Sequence, residues 1–69
     1  MKNYFIEKNA KIVKDYTVLI SAVREYNNML ATTDLENNLI RLWNRDGSIC
    51  VENERISIEK ARQMEKGYL

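Results

Sequence analysis

Backbone punctuation is almost absent from this chain. It has no proline, and neither of its two glycines falls within the first 46 residues. With nothing to break it, such a run admits one continuous helix. Within residues 4–31, Phe5, Ile12, Leu19 and Tyr26 form one row, and Asn9, Tyr16, Val23 and Leu30 form the next. The steps alternate four and three and only Asn9 is polar, the pattern of one face of a long helix. Ile6, Val13 and Ile20 lie about 100° round from the first row, so the apolar arc is wide. Between Val18 and Val23 it nearly encircles the helix. Asn3 and Asn9 are both competent N-caps; with Asn9 as the cap, Tyr4-Phe5-Ile6 is a short strand instead.

Residues 31–45 admit two readings. Thr33-Asp34-Leu35-Glu36 fits a capping box, and Leu35, Leu39, Leu42 and Trp43 keep helical spacing. A second helix over 34–45 would make the fold all-α. Against it stands Asp46-Gly47 between β-forming runs, a strong hairpin signal. Ile49-Cys50-Val51 also needs a strand partner. The hairpin reading pairs Leu39–Asn44 with Ser48–Asn53 around a two-residue turn. It sets Leu42 opposite Val51, Asn44 opposite Ile49 and Ile40 opposite Asn53, all facing the long helix. Arg41 opposite Glu52, Trp43 opposite Cys50 and Arg45 opposite Ser48 face away. At the end of the chain, Ser57 is a good N-cap, Glu59 and Lys66 suit the two ends of the helix dipole, and Gly67 suits a C′ position. A short helix over Ile58–Lys66 follows, with Ala61, Met64 and Leu69 turned inward. The expected architecture is α+β, a single domain over 1–69 in the order αββα.

Sixty-nine residues bury a small core, and one cysteine supplies no internal disulfide to reinforce it. Association with another chain is the remaining source of stability. A homodimer is therefore expected, formed where the apolar arc is widest, at Tyr16, Leu19, Ile20, Val23 and Tyr26. Eleven basic and ten acidic residues leave a net charge of +1, without the basic excess that marks nucleic-acid binding. The longest apolar run, Val18-Leu19-Ile20, is too short to span a bilayer, and Met1-Lys2-Asn3 leads into no signal-type core. An unpaired Cys50 fits a reducing compartment, and the expected location is the cytoplasm.

Chemistry-bearing motifs are missing. There is no histidine, no phosphate-binding glycine loop, no nucleophile elbow and no C-x-x-C. No metal site or cofactor is expected, and the chain reads as a non-enzyme. Cys50 has no base to activate it and reads as a small packed thiol. Asp46, Glu52 and Glu54 offer too few converging oxygens for a hard cation and read as solvated charges. Lys8, Lys11 and Lys14 recur by threes and could follow a phosphate backbone, but Glu7 and Asp15 interleave with them.

The informative constellation is Arg41-x-Trp43-x-Arg45. At strand spacing its side chains share a face, and with Glu52 opposite Arg41 they compose a candidate partner-binding site, since Trp and Arg are enriched at interface hot spots. The alternative places Trp43 in the core beneath the C-terminal helix. The expected function is a non-enzymatic protein-interaction module or inhibitor. Small single-domain chains rich in Asn, Lys and Ile resemble accessory proteins of phages and mobile elements in AT-rich bacteria. That group includes anti-defence inhibitors of the anti-CRISPR type. The resemblance is one of size and composition and transfers no residue. The competing readings are a small dimeric nucleic-acid-binding regulator and a structural oligomerisation protein.

Overall fold

The computed structural model describes residues 3–66. Its elements are β1 (Tyr4–Lys8), β2 (Lys11–Tyr16), α1 (Leu19–Thr32), β3 (Ile40–Asn44), β4 (Cys50–Glu52) and α2 (Ile58–Glu65). The four strands form one antiparallel sheet in the order β2-β1-β3-β4. The fold is α+β as expected, but the chain opens on a hairpin, so the order is ββαββα. Each half is a hairpin followed by a helix. Because β1 and β3 run antiparallel at the centre, exchanging the halves leaves the strand order unchanged.

The single helix expected over 4–31 is corrected to strand, strand and helix. Tyr4-Phe5-Ile6 and Ile12-Val13 are aromatic and β-branched residues that suit a pleated surface. Asn9 and Ala10 join them with φ of 52° and 69°, the positive values that a two-residue hairpin loop demands at both positions. Asn9 is fixed further by its own amide. Its Oδ1 accepts from the Leu39 N–H at 2.9 Å, and its Nδ2 donates to Asn38 Oδ1 at 3.0 Å. Helical periodicity is genuine only from Leu19 onward, where Leu19, Ala22, Val23 and Tyr26 are buried.

The expected helix over 34–45 is likewise absent. Thr33 ends α1, and Asp34 organises a turn in which its carboxylate accepts from the Glu36 N–H and the Asn37 amide. The second hairpin keeps the expected register, with Arg41 opposite Glu52, Leu42 opposite Val51 and Trp43 opposite Cys50. Its turn is wider than two residues. The Gly47 N–H donates to the Asn44 carbonyl and the Asn44 N–H to that of Ile49, so the pair 44/49 closes the loop. Gly47, at φ 79°, is the loop residue with positive φ. The C-terminal helix forms as expected, with Ser57 Oγ accepting from the Lys60 N–H at 3.1 Å. Gly67 and Leu69 lie outside the described residues.

The core lies between the helices and one side of the sheet. Ile6, Ile40 and Leu42 meet Leu19, Ala22, Val23 and Tyr26, with Ile56 and Ala61 completing it. Leu19, Val23 and Tyr26, expected to meet a second subunit, are fully enclosed within one chain. Tyr16 and Ile20 are half-buried against the same core. The over-wide helix that argued for this interface does not exist, because its first half is sheet. Tyr26 and Asn27 also anchor the segment before α2. The Tyr26 hydroxyl donates to the Glu54 carbonyl at 2.8 Å and accepts from the Glu54 N–H at 3.1 Å. Asn27 makes the same two-way clasp on Ile56, at 2.7 and 3.0 Å.

Candidate docking face

Strand alternation that buries Ile6, Ile40 and Leu42 sends their neighbours to the opposite side of the sheet. Cross-strand pairing arranges these neighbours in rows. One row runs Asp15, Phe5, Trp43, Cys50 and the next runs Ile12, Glu7, Arg41, Glu52, each crossing β2, β1, β3 and β4. Leu39, just before β3, continues the alternation on the same side. The helices sit on the other side: α1 packs on β1, β2 and β3, and α2 packs on α1. Trp43 is therefore not covered by the C-terminal helix.

The rings of Phe5 and Trp43 stack with centroids 4.5 Å apart and planes inclined by 28°. The Arg45 guanidinium lies 5.5 Å from the Phe5 centroid, within cation–π reach. Trp43 is half-buried, and its Nε1–H is shielded without a hydrogen-bond partner among the described residues. The indole is thus held by stacking. Beside the rings, Arg41 bridges two carboxylates. Its Nη2 and Nε donate to Glu52 Oε1 at 2.7 and 3.0 Å, and its Nη1 lies 3.6 Å from Glu7 Oε2. The hydrogen bonds to Glu52, and then its charge, raise the Arg41 pKa further above its ordinary range. Ile12 and Leu39, at 49% and 37% exposure, extend the apolar surface on either side of Glu7 and Arg41.

The structure thus brings Arg41, Trp43, Arg45 and Glu52 to one face. Phe5, the ring that organises the face, is not among the contact residues expected from the sequence, because residues 4–8 read as helix. Its signal was the Tyr-Phe-Ile run that also admitted a strand. Cys50, expected to be packed, is exposed on this face. Lys8, Lys11 and Lys14 lie on strands, not on a helix. Lys8 pairs with Lys11, and Lys14 lies opposite Ile6, at the helix-side margin of the sheet. Asp46 turns onto its own loop, where hydrogen bonds from the Ser48 backbone and then its side chain lower its pKa. Glu52 is engaged by Arg41. Among the described residues no group of three or more acidic or cysteine side chains is placed to hold a metal. No described helix is long and apolar enough to cross a membrane. Comparison with protein-family models, curated proteins and solved structures gave no match.

Proposed function

We propose that this chain is a non-catalytic protein-interaction module that acts by laying its open sheet face on a protein surface. The observation that carries the reading is the stacked Phe5–Trp43 pair on the side of the sheet away from both helices. Aromatic anchors surrounded by charged side chains match the anatomy of an interface core and its rim. The charges favour protein over nucleic acid as the partner. Arg41 and Arg45 share the face with Asp15, Glu7 and Glu52, and Arg41 is already engaged by two carboxylates. A phosphate would have to displace them. With its size and composition, this supports a role as a phage or mobile-element accessory protein, such as an inhibitor of a host defence enzyme.

The test is a pull-down from a bacterial lysate with wild-type protein and Trp43→Ala. Wild type should recover a stoichiometric protein partner that the variant loses. Recovery of none by either, from a chain that also fails to associate with itself through Trp43, or of the same partner by both, overturns the reading. The regulator reading draws on Lys8, Lys11 and Lys14 at one margin of the sheet. It requires binding to nucleic acid at ~50 mM salt that weakens steeply as salt rises.

A further inference from the structure

We infer that the occupant of the open sheet face is a second copy of this chain, paired face to face about a two-fold axis that runs along the strands between β1 and β3. The inference rests on the docking-face reading above and specifies its partner.

The open face is complementary to itself. Such an axis exchanges the columns of the sheet, so each β1 residue meets its cross-strand partner on β3 of the other copy. Phe5 pairs with Trp43 and Glu7 with Arg41 within one chain. Across the axis Phe5 therefore meets the partner's Trp43, and Glu7 meets the partner's Arg41, each contact occurring twice. Two Phe5–Trp43 pairs come into contact, and beside them two carboxylates and two guanidinium groups alternate in sign. Such reciprocity is what a two-fold interface requires of a single surface. An axis across the strands would instead bring Phe5 onto Glu7, with no such match. The outer columns, where Ile12 meets Glu52, fall at the rim, where polar groups stay solvated.

The size of the chain also favours a second copy. The chain's fully enclosed core is small, and its single cysteine is free, a situation small domains commonly relieve by oligomerising. Sheets packed face to face also keep their strands within about 30° of each other, which this axis permits. Four strands of three to six residues span at most roughly 20 by 17 Å in their shared width. That is below the ~800 Å² per partner of a standard interface, which places the dimer among weak, transient associations.

Sedimentation of the full chain between about 1 and 200 μM tests the inference. Wild type should pass from monomer to dimer over this range. Glu7→Arg and Arg41→Glu should each weaken self-association by about tenfold or more, since each sets like charges across the axis. An equimolar mixture of the two variants should recover the dimer, because Arg at position 7 of one chain then faces Glu at position 41 of the other. No purely structural role of either residue predicts that recovery. If circular dichroism shows that either charge variant is unfolded, Trp43→Ala decides, and it should be monomeric throughout.

A wild type that stays monomeric, a mixture that fails to associate, or a dimer indifferent to Trp43→Ala overturns the inference. The docking-face reading would survive a monomeric wild type if the lysate experiment still recovered a different protein through Trp43. Recovery of nucleic acid in its place would remove both.

Discussion

Tyr26→Phe deletes one oxygen, and the structure states what that oxygen does. Tyr26 is fully enclosed, and its hydroxyl both donates to and accepts from the Glu54 peptide, 28 residues away. The substitution leaves the ring in place but strands a part-buried N–H and C=O. Two hydrogen bonds at about 1 kcal/mol each, plus partial desolvation of the orphaned peptide groups, come to about 2–3 kcal/mol. A domain of this size has roughly 3–10 kcal/mol in total, so the loss is a large share. At about 4–8 °C per kcal/mol, the melting temperature should fall by about 10–20 °C. Thermal and urea melts followed by circular dichroism measure it, with the urea slope expected to hold as the midpoint drops. A variant that melts within ~2 °C of wild type would mean the 53–57 segment is not fastened to α1 through this hydroxyl.

The same hydroxyl gives a pH prediction. Burial, opposed by the hydrogen bond with Glu54, pushes the Tyr26 phenol above its ordinary value of 10.0. Above that value the unfolded chain releases the proton while the folded chain keeps it, so stability is full below pH ~10 and declines as pH climbs towards the folded value. Tyr26→Phe should show less of that alkaline decline in urea melts. Ala10→Gly should stabilise the fold by about 0.5–1 kcal/mol: relief of a left-handed alanine is worth about 1–2 kcal/mol, and the added freedom of the unfolded chain offsets part of it. A lower melting temperature would contradict the positive φ at this position. Gly47→Val should cost about 1–2 kcal/mol through backbone strain at its φ of 79°, with no clash added, since a Cβ there would meet nothing within 4 Å. An unchanged melt would show that the loop adopts another conformation.

The second half of the chain was legible because its signals are local and chemically explicit. Asp46-Gly47 marked the hairpin, the Leu42–Val51 pairing followed, and Ser57 announced α2. From that register alone Arg41, Trp43 and Arg45 fell on the side away from the helix. The first half misled because its turn is written without glycine. Ala10 takes a conformation that alanine ordinarily avoids, and Asn9 is the only hint. The four-three spacing that suggested one long helix was a coincidence of two periods: Phe5 and Ile12 belong to the open sheet face, whereas Leu19 and Tyr26 belong to the core. The asparagines are scattered in sequence. Yet Asn9, Asn27, Asn44 and Asn53 each bond a distant or turn backbone group. They do the turn and clasp work that glycine and proline do elsewhere, and only tertiary structure reveals their partners.

The chain's single tryptophan reports directly on the proposed docking face. Its emission and its quenching by acrylamide can be followed as concentration rises through the micromolar range. If this face is where the protein binds, the Trp43 emission should move to shorter wavelength and its quenching should fall as the complex forms. Emission and quenching that stay constant while sedimentation shows association would place the contact elsewhere and contradict the account.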